Sequence, residues 1–121
     1  LVLIFLHYPY FFGQTWNWSL ELKTLSFFSL ISIVWDFLWF VLNPHYGVRR
    51  FKPEHIWWHK KWLLFMPIDY YFALTIFLLL YLRFSLSWIL FKEWLFVLVL
   101  FLILTLMIVI IKELLAVLLK R

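Results

Sequence analysis

Four apolar stretches alternate with short polar or proline-containing segments along the chain. The first, about 1–12, would extend about 18 Å as a helix, less than the roughly 30 Å of a bilayer's hydrocarbon core. We therefore interpret it as the outer end of a first membrane span that begins upstream, and the alternative is a short re-entrant segment. The second, about 19–42, stops at Asn43-Pro44, because the residue before a proline disfavours the α conformation.

The segment 43–65 is the most polar part of the chain. Pro53 suits the first position of a helix and Glu54 its first turn, so the pattern predicts a short amphipathic helix over about 53–64, lying in the membrane surface. Two further spans are predicted after it, over about 67–83 and 93–111.

Composition supports a membrane protein. Of the 121 residues, 67% are apolar, 25% are aromatic and only 14% are charged, whereas ordinary soluble domains are about 45–50% apolar and about 25% charged. The absence of cysteine excludes disulfides and thiolate metal sites, and the two glycines exclude a glycine-rich phosphate loop. We therefore predict one all-α domain over 1–121, a multi-pass transmembrane bundle of about four spans with the first incomplete.

The basic residues predict an orientation. Five lie in 43–65 and three at the C-terminal end, whereas only Lys23, Arg83 and Lys92 fall on the other side of the predicted spans. This places the 43–65 loop and the C-terminus in the cytoplasm, in a bacterial-type inner membrane. The net charge of +5 is explained by lipid headgroups rather than nucleic acid. Four residues are headgroup candidates: Arg49, Arg50, Lys60 and Lys61.

Asp36 is the clearest candidate for chemistry, because a charge at the bilayer centre costs about 2.5–3.5 kcal/mol on insertion scales. At 100° per residue it shares one helix face with three other polar residues, namely Ser29, Ser32 and Asn43. This polar stripe should face the bundle interior. It serves either as a helix–helix contact, with Asp36 paired to Arg49 or Arg50, or as a ligand, proton or metal site.

His55 and His59 are four residues apart, which on a helix places both imidazoles on one side. Three interpretations are open. The two histidines are interfacial residues that bond headgroups or carbonyls, they are ligands, with Asp36, of a divalent metal cofactor, or they have a proton-transfer or other catalytic role. Asp69 lies in the first turn of the third predicted span, where a carboxylate suits the helix dipole.

These polar side chains come from three segments that should meet at one interface, where Tyr46, Tyr70 and Tyr71 can add hydroxyls. On the opposite side we expect charged residues to pair across span ends: His7, Glu21, Arg83 and Glu93.

Three functions remain open. The chain is a small binding or accessory protein for a lipid headgroup, a divalent metal or a partner subunit, or it is a structural subunit of a larger complex or homo-oligomer. The third possibility is a metal- or acid/base-dependent enzyme on a lipid substrate, with four catalytic candidates: Asp36, His55, His59 and Asp69.

Overall fold

The computed structural model describes residues 1–119 and is mostly helical. Lys120 and Arg121, which contribute to the predicted cytoplasmic charge of the C-terminus, lie outside the described residues. In chain order the elements are α1 (Val2–Leu6), α2 (Tyr8–Phe11), α3 (Trp18–Leu42), a 3₁₀ turn (Val48–Arg50), β1 (Trp62–Leu63), β2 (Met66–Pro67), α4 (Ile68–Tyr81) and α5 (Trp88–Leu118).

Two helices are long and apolar enough to cross a membrane. The 25-residue α3 and the 31-residue α5 have mean hydropathies of 2.0 and 3.3 over their most apolar windows. Only 22% of the α3 window and none of the α5 window is buried within the described chain, so most of the apolar surface of both helices lies outside the core formed by residues 1–119. They contain the predicted spans 19–42 and 93–111. Asn17 is the N-cap residue of α3 and Ser87 is that of α5. The side chain of each accepts a hydrogen bond from a backbone N–H in the first turn of its helix.

The structure does not confirm four spans. The predicted span 67–83 forms α4, whose 14 residues extend only about 21 Å. The predicted partial span 1–12 is broken at His7 into α1 and α2. Proline explains the break, because Pro9 has no N–H to donate to the carbonyl four residues earlier.

Helices α3 and α4 are antiparallel neighbours and form the core. Near the middle of both helices Ser29 donates a hydrogen bond to the Ala73 carbonyl, and Leu30, Phe77 and Tyr81 are buried together. Helix α5 runs antiparallel to α4 and parallel to α3, because its start lies beside the start of α3, Trp94 packs on Phe77 and Lys112 reaches Gly47 in the loop after α3. The loop 43–67 and the C-terminal part of α5 therefore share one end of the bundle.

The predicted helix over 53–64 is wrong. This segment forms turns that lead into a hairpin, with Trp62 paired to Pro67 and Leu63 to Met66. Tertiary packing explains the difference, because an isolated helix this short is marginal in water and the non-helical chain buries Ile56 almost completely. Leu64 closes the hairpin with a φ of 55°.

Candidate functional site

Aromatic packing fixes the loop against the end of α3. Phe51 packs edge-on against Phe37 with ring centroids 5.1 Å apart, and it also contacts Phe40 and Trp62. Trp58 packs against Phe40 at 6.0 Å. Because these contacts flank residue 59 on both sides in sequence, they carry His59 onto the helices.

His59 lies between two carboxylates. Its Nε2 is 3.0 Å from Oδ2 of Asp36 on α3, and its Nδ1 is 3.1 Å from Oδ2 of Asp69 on α4. The histidine side chain is only 12% exposed, whereas Asp36 is 39% and Asp69 is 69% exposed. The imidazole of His59 therefore joins the loop to both α3 and α4, and the Asp69 carboxylate is the more exposed of its two partners.

One further group, Tyr70, completes what we call the Asp36 cluster, defined as Asp36, His59, Asp69 and Tyr70. The Tyr70 hydroxyl donates a 2.6 Å hydrogen bond to the same Asp36 oxygen that faces His59. The indole N–H of Trp62 donates to the His59 carbonyl at 2.9 Å, which anchors the backbone beside the ring. Both ring and backbone of His59 are thus held.

The cluster suits proton transfer. A neutral imidazole has one N–H and one acceptor nitrogen, whereas an ionised carboxylate only accepts. With a carboxylate oxygen at each ring nitrogen, satisfying both contacts requires an additional proton, on the ring or on one carboxyl group. The arrangement can therefore hold a shared proton and pass it between Asp69 and Asp36.

The structure brings together three of the four catalytic candidates. Asp36, His59 and Asp69 meet, but His55 is exposed and away from the cluster's hydrogen bonds. Within residues 1–119, no group of three or more His, Asp or Glu side chains is arranged to hold a metal ion. The divalent metal prediction on His55, His59 and Asp36 therefore has no geometric support.

The arginine alternative for Asp36 is not what the structure shows. Asp36 bonds His59 and Tyr70, while Arg50 donates to the His45 carbonyl at 2.6 Å. The polar stripe is also divided. Ser29 bonds across to α4, but Ser32 bonds its own helix and Asn43 caps the turn at His45. Only part of the stripe faces a neighbour.

Two cavities adjoin the cluster. An apolar cavity of about 520 Å³ lies among α3, α4, α5 and the hairpin, and its wall includes Tyr70, Phe37 and Phe101. A second cavity of about 470 Å³ is lined by Lys60, Lys61 and Asp69 together with three apolar residues, Trp58, Ile68 and Phe72. Sequence reasoning missed both cavities, since each is assembled from distant segments, and it also missed the Trp62 anchor.

A smaller polar cluster lies at the other end of α3. Glu21 accepts from Tyr10 at 3.3 Å and Trp16 at 3.1 Å, and its second oxygen is 3.0 Å from His7 Nε2. The pKa of His7 is raised, first by the hydrogen bond to the Leu3 carbonyl and then by the Glu21 carboxylate. The expected pairing across span ends therefore forms for His7 and Glu21.

Comparison with family models, with curated proteins and with solved structures finds no match to this chain.

Proposed function

We propose that this chain is a small membrane enzyme in which Asp36 exchanges protons with a lipid substrate. Its original protonation state is then restored by proton transfer through His59 and Asp69. One observation carries the proposal. Tyr70 belongs both to the wall of the apolar cavity and to the polar cluster, since its hydroxyl bonds Asp36. Proton chemistry and an apolar substrate space therefore meet at a single side chain.

The proton path follows the hydrogen bonds. Asp69 is mostly exposed and exchanges protons with water at the membrane surface. When a protonated Asp69 delivers its proton to Nδ1 of His59, the ring releases the Nε2 proton to Asp36. The protonated Asp36 is then a general acid, and the reverse sequence makes its carboxylate a general base. Tyr70 supplies a second hydrogen-bond donor to the ionised form.

The membrane arrangement is part of the proposal. Helices α3 and α5 cross the bilayer, and α4 with the N-terminal helices completes a multi-pass bundle of about four segments. The excess of basic residues in the 43–65 loop supports an arrangement in which this loop faces the cytoplasm, and we assign the membrane to the bacterial inner-membrane type as part of the same proposal. The cluster then lies at the cytoplasmic interface, where Asp69 contacts water and the cavity contacts acyl chains.

A second candidate function is binding of an anionic lipid headgroup, and the cavity beside Asp69 favours it. Lys60 and Lys61 are exposed at its wall and form no ion pair within residues 1–119. Exposed lysines at a membrane surface each attract anionic lipid by about 1 kcal/mol. If the chain is an enzyme, this cavity holds the headgroup of the lipid substrate. If the chain has no catalytic activity, binding of the headgroup to this cavity is the function of a binding or accessory protein.

Deuterium incorporation tests the enzyme proposal. The purified protein is reconstituted into vesicles of the source organism's total lipid extract in D₂O, and the lipids are analysed by mass spectrometry. We expect wild type to produce a changed or carbon-deuterated lipid that Asp36→Asn does not produce. Ser32→Ala is the matched control, because Ser32 lies one turn away and bonds only its own helix.

The competing outcomes are distinct. Identical lipid profiles for wild type and Asp36→Asn, with both proteins folded, would overturn the enzyme proposal. If wild type then retains anionic lipid that Lys60→Ala/Lys61→Ala loses, the chain is a headgroup-binding protein.

A further inference from the structure

A third cavity lies at the opposite end of the bundle from the Asp36 cluster and has a different charge pattern. Its volume is about 270 Å³, and it is formed where α3 begins, α4 ends and α5 begins. Six polar side chains contribute to its wall: Gln14, Asn17, Ser19, Lys23, Arg83 and Glu93.

Two cations are held at this cavity. Arg83 donates a hydrogen bond to the Ser19 hydroxyl, which joins the end of α4 to the start of α3. Arg83 and Phe84 both have a φ of 55°, so the turn after α4 holds a conformation that side chains other than glycine rarely adopt. Lys23 Nζ lies 5.1 Å from the centroid of the Tyr81 ring. The positive groups are therefore positioned by the fold.

One anion faces the same cavity from the third helix. Glu93 is exposed near the start of α5, and within residues 1–119 it forms neither an ion pair nor a side-chain hydrogen bond. Its carboxylate is therefore available to a ligand, although Lys23 and Arg83 line the same space.

We infer that this cavity binds a zwitterion that carries a phosphate and a primary ammonium, the chemistry of a phosphatidylethanolamine headgroup. Arg83 and Lys23 are suited to the phosphate, because guanidinium and ammonium groups form charge-assisted hydrogen bonds with it. Glu93 is suited to the ammonium, which offers three N–H donors. The position at the end of two membrane-length helices favours a lipid as the source of this headgroup.

The need for a charged N–H donor to Glu93 separates this ligand from other common headgroups. A glycerol headgroup has no ammonium, so it offers Glu93 only neutral hydroxyl donors, which form weaker hydrogen bonds with a carboxylate than a charged donor does. A choline headgroup has a cation without N–H donors, so it cannot hydrogen-bond Glu93. The inference is independent of the proposed enzyme function, because no residue of the Asp36 cluster lines this cavity.

Native mass spectrometry tests the inference with vesicles that contain equal amounts of phosphatidylethanolamine, phosphatidylcholine and phosphatidylglycerol. Wild type should retain phosphatidylethanolamine about tenfold over phosphatidylcholine, the ratio expected for one additional charge-assisted contact. Glu93→Gln should reduce the tenfold preference to a phosphatidylethanolamine-to-phosphatidylcholine ratio between about 1 and 3. Arg83→Ala should reduce retention of all phospholipids. Lys92→Ala is the matched control, since Lys92 is an exposed neighbour on the Trp88 ring and outside the cavity wall.

A second arm distinguishes the source of the headgroup. Free phosphoethanolamine is added to the lipid-loaded protein, and its displacement of phosphatidylethanolamine is measured. No displacement at millimolar concentration assigns the site to the lipid; displacement at micromolar concentration assigns it to a soluble zwitterion. Equal phosphatidylethanolamine-to-phosphatidylcholine ratios in wild type and Glu93→Gln, with both folded by circular dichroism, would overturn the inference.

Discussion

The Tyr70 hydroxyl donates a 2.6 Å hydrogen bond to Asp36, although 34 residues separate the two in sequence. Tyr70 is 4% exposed, so a charged carboxylate within an apolar helix obtains a buried donor from the neighbouring helix. Together with His59, this contact satisfies a group that lipid alone cannot satisfy. It also places that group beside the apolar cavity.

Tyr70→Phe should lower stability while preserving the fold, because the ring remains and only the hydroxyl is lost. Hydrogen bonds to charged groups contribute about 1.5–3 kcal/mol, and the partial exposure of Asp36 reduces the expected loss to about 1 kcal/mol. Thermal unfolding in detergent measures it. Tyr71→Phe, which removes an exposed hydroxyl bonded to the Leu63 carbonyl, should cost less; an equal cost would contradict the special role of Tyr70.

His59→Ala should release the loop from the helices, because the ring joins Asp36 on α3 to Asp69 on α4. We expect trypsin to cleave after Lys60 and Lys61 several-fold faster in this variant, since proteolysis follows local opening. His55→Ala is the matched control, as this exposed ring takes no part in the cluster. Unchanged cleavage in His59→Ala would show that the aromatic contacts hold the loop alone.

The contact between His7 and Glu21 should weaken as the pH rises. The pKa of His7 is raised above 6.5 in the folded protein, so its stabilising contribution is complete below about pH 6.5 and is lost as the pH rises through the higher folded value. A nuclear magnetic resonance titration of His7 in detergent measures this. Glu21→Gln should lower the pKa only in part, because the Leu3 carbonyl contributes most. A titration at or below 6.5 in wild type would contradict the contact.

Trp94→Phe should leave stability unchanged or slightly higher. Its indole N–H is buried and finds no hydrogen-bond partner among residues 1–119, and replacing an unsatisfied donor with an apolar group removes a desolvation cost. Trp62→Phe is the comparison, because its N–H bonds the His59 carbonyl and its loss should cost about 1 kcal/mol. Unfolding temperatures of both variants provide the measurement, and a larger loss in Trp94→Phe would refute the expectation.

Local pattern predicted the candidate site better than it predicted the loop. Asp36 stands out in sequence because a carboxylate inside an apolar helix requires a partner, and the structure supplies His59 and Tyr70. The pairing of His55 with His59 depended on a helix that does not form, so only one of the two reaches the cluster. The four-residue spacing of the two histidines places them on one side only in a helix, so it carries no such information in the turns that form instead.

The sequence by itself determined that the chain is helical and apolar along most of its length, that two apolar segments are long enough for a membrane, and that Asp36 needs a polar neighbour. It located both ends of α3, but α5 begins five residues before the predicted span 93–111 and ends seven residues after it. These are local properties, set by hydropathy, caps and prolines within a few residues. Only the tertiary structure decided that His59 lies between Asp36 and Asp69, that the 53–64 segment is not a helix, and that charged cavities form at both ends. Those results depend on contacts between residues that are 10 to 64 positions apart, whose packing free energy outweighs the weak helix preference of a short segment.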